Sequence, residues 1–115
     1  MDKIVACPGF RAAGVACGLK KNGDRDLGLI VSDGPASVAG VFTRNRVKAA
    51  PVQLCEARAA GGTCRAVIVN SGNANCATGE RGAQDAEKMA AIAAGAVGVD
   101  AREVLVASTG VIGEP

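Results

Sequence analysis

Hydrophobic residues fall into short runs separated by polar, glycine-containing stretches, and this pattern predicts most of the secondary structure. Two apolar, partly β-branched runs, Leu27–Val31 and Val38–Thr43, flank the turn-forming sequence Asp33–Pro35. They predict a β-hairpin. Because successive positions in both runs are apolar, we expect each strand to be covered on both faces by other layers.

A short helix is predicted after the second run. Pro51 stands where a helix commonly begins, and Leu54, Cys55 and Arg58 follow at helical spacing until Gly61 interrupts the pattern.

Two further strands are each followed by polar residues. Ala66–Val69 is a buried strand that leads into the polar loop Asn70–Asn75, and Val104–Ala107 is a last strand that leads into Ser108–Gly110. A buried strand that runs into a polar, glycine-containing loop is a good place for a functional turn.

A longer amphipathic helix lies between these strands, from Gly79 to Val97, with Thr78 as its N-cap and Asp100–Glu103 as the connection that follows. Acidic residues near its start favour the positive end of the helix dipole. Its apolar stripe consists of Ala83, Ala86, Met89, Ala90, Ala93 and Val97.

The order of these elements predicts a mixed α/β (α+β) layered domain. With 16 Gly, two Phe, no Trp and no Tyr among 115 residues, the core must be built from closely packed Ala, Val, Ile and Leu. Nothing after Val104–Ala107 covers that strand. We therefore expect residues 1–115 to be an incomplete domain.

Composition argues against several classes of protein. The net charge is only +2, without a run of like charge, and almost no aromatic residue could stack on bases, which argues against a nucleic-acid-binding protein. No apolar stretch approaches the ~20 residues of a membrane helix. Met1–Gly9 does not resemble a signal peptide. A cytoplasmic protein is expected.

The chain has five cysteines and no histidine. The cysteines are widely spaced and form no C-x-x-C pair, so we expect no metal site and interpret them as reduced, mostly buried small hydrophobes. The acidic residues form no compact cluster. Without histidine, neither a Ser-His-Asp nor a Cys-His arrangement can form within this chain. The cysteines are Cys7, Cys17, Cys55, Cys64 and Cys76.

One tripeptide has the residue types of an oxyanion hole. Thr109 supplies a hydroxyl and Gly110 an unobstructed backbone N–H, and together with Ser108 they follow a buried strand. The same tripeptide is also an ordinary strand-to-loop turn, and its spacing alone favours the turn.

Three other segments have a structural and a functional interpretation. Gly14–Lys20 imitates a phosphate-binding loop without the required spacing. Arg46 and Lys48 could attract substrate carboxylates, although a solvated face is the simpler interpretation. Asn70–Asn75 suits a tight turn whose side chains bond to the backbone and support an adjacent site.

Several sequence blocks, in order over almost the whole chain, resemble the opening of the ornithine acetyltransferase (glutamate N-acetyltransferase) family. The blocks are Gly9–Ala16, Leu29–Ser37, Ala39–Thr43, Asn45–Val52, Val69–Asn75 and Ala107–Gly113. The chain would then be the N-terminal part of the family's alpha chain.

The resemblance implies a layered sandwich of sheets between helices, built jointly by two chains of a precursor that cleaves itself before a threonine. That threonine is the family's nucleophile, and it lies beyond Pro115, as do the principal substrate-binding residues. Thr109 and Gly110 match the family's oxyanion hole.

The implied reaction is ping-pong acetyl transfer from N-acetylornithine to glutamate in arginine biosynthesis. The implied partner is the beta chain of the same precursor, in a hetero-oligomer of alpha and beta chains. No metal or bound organic cofactor is implied, although some relatives accept acetyl-coenzyme A as donor.

Two alternatives stay open. A truncated gene product could retain the fold as a non-catalytic scaffold, which a reading frame that ends after Pro115 would indicate. A different self-cleaving amidohydrolase would share an oxyanion hole at a strand end but would not be expected to share all the sequence blocks.

Overall fold

The computed structural model describes residues 7–115, so most of the segment Met1–Gly9 lies outside the described residues. The predicted mixed α/β architecture is confirmed. A short 3-10 turn, Ala101–Glu103, lies directly before the last of its four strands. The elements in chain order are β1 (Phe10–Val15), β2 (Leu27–Ser37), α1 (Ala50–Ala59), β3 (Thr63–Asn73), α2 (Gly79–Val97) and β4 (Val104–Val111).

The four strands form one sheet in the order β1-β2-β3-β4. The first two pairings are antiparallel, whereas β3 and β4 are parallel and are joined through α2. A parallel pair needs such a crossover because a short turn cannot reverse the chain twice.

Alternate residues of the central strands face the two helices. Val31, Ala66 and Val104 are neighbours across three strands, and all three are buried. Small side chains on α2 let its backbone lie close to the sheet, as the composition predicts. The buried core consists of Val31, Leu54, Ala66, Ile68, Ala86, Ala90, Ala93, Ala94, Val104 and Val106.

The opposite face of the sheet is not covered within the described residues. Ile30 lies on this face and is 45% exposed, and Ala107 is also exposed. Within residues 7–115 only one face is covered, because the core joins both helices to the same side of the sheet, and a layer on the other face stays a prediction. The residues of this open apolar face are Ala12, Gly28, Ile30, Val67, Val69, Leu105 and Ala107.

The predicted hairpin of Leu27–Val31 with Val38–Thr43 is wrong. β2 continues through Asp33–Pro35, which forms an irregularity in its register with β3 instead of a turn. Proline has no N–H to donate to a regular ladder, but it is tolerated at a bulge, where the ladder is interrupted. The second run has no regular structure, and Val41 in it is 99% exposed.

β2 pairs antiparallel with β1 as well as with β3, and the sequence pattern did not predict β1. Phe10 pairs with Ser32, and Val15 pairs with Leu27. The strand contains two alanines and a glycine, residues with little preference for strands, so its conformation depends on pairing with β2.

Both predicted helices are confirmed. α2 has the predicted bounds, but Thr78 makes no capping hydrogen bond, and its hydroxyl donates instead to Asn75 Oδ1 at 2.6 Å. Ala83 is exposed rather than part of the apolar stripe, while Gly82 and Ala94 are buried. The stripe is otherwise as predicted.

All five cysteines are unpaired, as expected, but none is buried. Cys7 and Cys17 are exposed and the other three are partly exposed. The interpretation of these residues as mostly buried small hydrophobes is therefore wrong, because the core is filled by aliphatic side chains instead.

Candidate functional site

The ends of β3 and β4 bring together two polar segments that are far apart in sequence. Both strands are longer than predicted, so most of Asn70–Asn75 and all of Ser108–Gly110 belong to strands rather than loops. In the parallel register Asn70 lies beside Ser108, Ser71 beside Thr109, and Gly72 beside Gly110. Pairing with the neighbouring strand extends each element beyond its apolar run.

A side-chain hydrogen bond crosses the two strands at this point. The Ser108 hydroxyl donates to Asn70 Oδ1, and Asn70 Nδ2 donates to the carbonyl of Asn73 at 2.8 Å. Asn70 is only 6% exposed. Both ends of its amide are thus occupied within the fold, which a buried polar group requires.

The backbones of the two strands are in close contact at Gly110. Its φ is +130°, and a Cβ there would lie 2.4 Å from the carbonyl carbon of Gly72 and 2.6 Å from the nitrogen of Asn73. Only glycine adopts this conformation readily and fits this space.

The backbone N–H of Gly110 faces the outer edge of β4. Side chains of α1 donate to the carbonyls of Val104 and Val106, so these groups point away from β3. The carbonyl of Val111 instead accepts from an N–H that follows β3. Because peptide groups of a strand point alternately to its two edges, the Gly110 N–H shares the outward direction of Val104 and Val106.

The side chain of Thr109 lies on the opposite face from that of Ser108, since side chains alternate along a strand. Thr109 is exposed, and its side chain lies on the open apolar face. Gly110 is exposed at the edge of the strand. A hydroxyl and an outward N–H are therefore accessible on adjacent residues, while their role as an oxyanion hole stays a prediction.

The turn after β3 holds the end of β4. Asn73 Nδ2 donates to the carbonyl of Glu114 at 2.8 Å, and the N–H of Gly113 donates to the carbonyl of Cys76 at 2.8 Å. Asn75 has a φ of +49°, and its Nδ2 donates to the carbonyl of Gly82 at 2.9 Å. The asparagines thus bond to backbone, as the structural interpretation of this segment predicted.

The segment Gly14–Lys20 surrounds a carboxylate of the chain itself. Asp26 is 3% exposed and accepts hydrogen bonds from the N–H groups of Cys17 at 2.6 Å and Lys20 at 2.9 Å. The N–H groups that a phosphate would need are therefore already used. Phosphate binding, the weaker interpretation of this segment, has no support from the structure.

These two backbone hydrogen bonds, first that of Cys17 and then that of Lys20, hold the pKa of Asp26 far below its usual range. The hydrogen bond between the Cys17 thiol and Asp26 raises the pKa of that thiol. Cys17 is therefore not activated as a nucleophile.

We expect Asp26→Asn to lower the stability of the intact protein at neutral pH and to have less effect in acid. The folded-state pKa is lowered, so the carboxylate stabilises the fold fully above its unfolded pKa of about 4, and this contribution declines progressively as the pH falls from there toward the folded-state pKa. Denaturant unfolding of both proteins at pH 7 and pH 3 measures the difference. Asp24→Asn, at an exposed position, is the control. An equal difference at both pH values would contradict the prediction.

The two basic candidates have ordinary surroundings. Lys48 pairs with Glu56, with Nζ 2.7 Å from Oε1, and Arg46 is exposed. Their interpretation as surface charges is favoured.

A small recess opens beside the outer edge of β4. It has a volume of about 220 Å³, and Phe42, Pro51, Val106 and Ser108 are among the residues that line it.

Within residues 7–115 there is no group of three or more His, Cys, Asp or Glu residues that could hold a metal ion. No helix of the described chain is long and apolar enough to cross a membrane.

Two features of this region were missed by the sequence analysis. The Asn70–Ser108 hydrogen bond joins residues 38 positions apart, and no local pattern indicates it. The burial of Asp26 was also missed, although an acidic residue directly before an apolar strand and after a glycine-containing loop is a weak signal for such an anchor.

Comparison with known proteins gives a consistent result. The model of the ArgJ family matches residues 11–115. The "Arginine biosynthesis bifunctional protein ArgJ" of Geobacter sulfurreducens is 56% identical over 107 residues, which are 93% of this chain and 27% of that protein. The protein of the same name from Bacillus cereus is 54% identical over 113 residues, or 97% of this chain and 28% of the relative.

Two crystal structures are also similar. Arginine biosynthesis bifunctional protein ArgJ from Bacillus halodurans has a TM-score of 0.89 and 46% identity, over 93% of this chain and 56% of that one. Ornithine acetyltransferase from Mycobacterium tuberculosis, in complex with ornithine, has a TM-score of 0.89 and 50% identity, over 95% of this chain and 60% of that one.

The matches cover nearly all of this chain, which spans about 27–28% of the length of these curated relatives and aligns with their N-terminal part. Their common name refers to arginine biosynthesis. Sequence, fold and family model agree, and the chain belongs to the ArgJ family.

Proposed function

We propose that this chain is the N-terminal part of a glutamate N-acetyltransferase and supplies the oxyanion hole of its active site. The observation that carries the proposal is the end of β4, where the exposed Thr109 hydroxyl and the outward N–H of Gly110 lie on adjacent residues. Two donors that converge on one oxygen stabilise the negative charge of a tetrahedral intermediate.

The proposed reaction has two half-reactions. A threonine in the downstream part of the protein, with its own α-amine as base, attacks the acetyl carbonyl of N-acetylornithine. The carbonyl oxygen becomes an oxyanion that accepts hydrogen bonds from Thr109 and Gly110. The C–N bond then breaks, ornithine leaves with a proton, and the threonine carries the acetyl group. Glutamate attacks this ester through its amine, the bond between the acetyl carbon and the threonine oxygen breaks, and the amine proton passes to the threonine hydroxyl as N-acetylglutamate leaves.

The chemistry of this chain agrees with such a mechanism in one respect. It has no histidine, and two of its thiols have a raised pKa, Cys17 through its hydrogen bond with Asp26 and Cys64 through burial. Acyl transfer would therefore depend on a nucleophile and base from elsewhere, here the N-terminal threonine of a second chain produced by self-cleavage. No metal or bound organic cofactor takes part in the proposed mechanism, and acetyl-coenzyme A is a possible second donor.

The proposed partner is the beta chain of the same precursor, in the cytoplasm. The open apolar face of the sheet supports this assignment, because exposed apolar surface of this kind is normally covered by another layer. Ile30 and Ala107 are exposed there, and Thr109 lies on the same face. A second chain on this face would therefore be next to the proposed oxyanion hole.

We expect the 115-residue chain alone to release no ornithine above background from N-acetylornithine and glutamate, and the full-length protein to be active. The full-length protein should also exchange labelled ornithine into N-acetylornithine without glutamate, because a ping-pong mechanism forms an acetyl-enzyme in its first half-reaction. Activity of the chain alone would contradict the assigned roles. Activity that requires both substrates together would exclude the acetyl-enzyme.

A further inference from the structure

We propose that Asn70 and Ser108 are positioning residues that hold the proposed oxyanion donors in place, an inference that rests on the proposed function. Both ends of the Asn70 amide are bonded within the fold, so the role we assign to it is indirect. This amide connects the residue directly before Thr109 with the last residue of β3.

The Asn70 amide is anchored at both ends. Its oxygen accepts from the Ser108 hydroxyl, while its nitrogen donates to the carbonyl of Asn73 at 2.8 Å. The side chain is 6% exposed, so water competes little for either bond. The amide therefore joins β3 to β4 three residues before the C-terminal end of each strand.

The backbone is held on both sides of Thr109 and Gly110, on the N-terminal side by the Asn70 amide and on the C-terminal side by contacts of Val111. On the C-terminal side, the N–H of Ala74 donates to the carbonyl of Val111 at 2.9 Å. Between the two, Gly110 is in close contact with the backbone of Gly72. The peptide group that joins Thr109 to Gly110 is thus held from both ends, and its N–H keeps one direction.

This constraint matters because oxyanion donors act only when they are already aimed at the developing charge. Ser108 directly precedes Thr109, and the donors of the proposed oxyanion hole are the Thr109 hydroxyl and the N–H of the peptide group after Thr109, so a displacement of the backbone at Ser108 would move both. A displacement of about 1 Å at an active site can lower a rate ~100-fold. The effect of losing the Ser108 hydroxyl should therefore fall on kcat.

The test compares Ser108→Val with Ser108→Thr in the full-length protein, because valine and threonine have the same shape and differ only in the hydroxyl. A cavity of about 400 Å³, lined in part by Ser108 and Asn70, leaves room for the added methyl groups. We expect Ser108→Thr to retain activity and Ser108→Val to have a kcat about 10- to 100-fold lower, with KM changed less than about twofold.

The readout is kcat per active site, with sites counted by the acetyl groups that N-acetylornithine transfers to the protein. A merely structural role would lower the number of active sites or the melting temperature but would leave kcat per site unchanged. Ser37→Val, the same substitution at an exposed position of β2, is the control and should retain the wild-type kcat. If Ser108→Val does not fold, Ser108→Ala replaces it with the same expectation.

Equal kcat per site for the valine and threonine variants would overturn the inference while leaving the proposed function intact. A wild-type protein that takes up no acetyl group from N-acetylornithine would overturn the proposed function, and the inference would fall with it. Asn70→Ala should lower kcat by the same mechanism, and the double variant with Ser108→Val should lose less than the product of the two separate effects. Independent effects would contradict a shared role.

Discussion

Replacing Thr109 by alanine should lower the kcat of the full-length protein ~100- to 1000-fold, or by about 2.7–4 kcal/mol of transition-state stabilisation. The substitution removes one of two donors, while the backbone N–H of Gly110 remains. Because the hydrogen bond strengthens as charge develops on the carbonyl oxygen, the loss should appear in kcat rather than in KM. Steady-state kinetics with N-acetylornithine and glutamate measures both.

Two further variants separate the hydroxyl from the shape of the Thr109 side chain. Thr109→Ser keeps the hydroxyl and should retain most of the activity, whereas Thr109→Val keeps the shape and should behave like alanine. Self-cleavage passes through a similar oxyanion, so processing is checked separately by gel electrophoresis. A fully processed Thr109→Ala enzyme with normal kcat would falsify the assigned role of the hydroxyl.

Replacing Gly110 by alanine should destabilise the protein by about 2–6 kcal/mol. The backbone conformation, with φ of +130°, costs a non-glycine residue about 1–3 kcal/mol, and the new Cβ would lie 2.4 Å from the carbonyl carbon of Gly72. Overpacking of this kind adds about 1–3 kcal/mol. The backbone atoms of Gly72 and Asn73 cannot rotate away as a flexible side chain could.

Denaturant unfolding of the intact protein measures this loss. Gly95→Ala in α2 is the matched control, because a Cβ at Gly95 meets no atom within 4 Å. An alanine in a helix is about 1 kcal/mol more favourable than a glycine, so this control should be neutral or stabilising. Comparable stability of the two variants would mean that β3 and β4 are not in close contact at Gly110.

Local pattern was sufficient for the helices. The bounds of α2 were predicted because its apolar residues recur at helical spacing over nineteen positions, so the signal lies within the segment itself. The same holds for α1, where proline marks the start and glycines follow the end. The apolar segments of β3 and β4 were also predicted, although their full lengths were not.

Strand pairing was the main source of error. Asp33–Pro35 has the composition of a turn, and only the register of β2 with its neighbours shows that the strand continues through it. β1 was missed for the complementary reason, since its small residues have no strand preference of their own. In both cases the deciding contacts are with residues distant in sequence.

The sequence by itself determined the class of fold, the aliphatic core, the absence of histidine from this chain and the resemblance that predicts Thr109 and Gly110 as an oxyanion hole. These depend on composition and on order along the chain. Only the tertiary structure decided that one face of the sheet is open and that Asp26 fills the loop before it. It also decided that Asn70 holds Ser108. The reason is physical: burial and hydrogen bonding between distant residues arise only once the strands are paired.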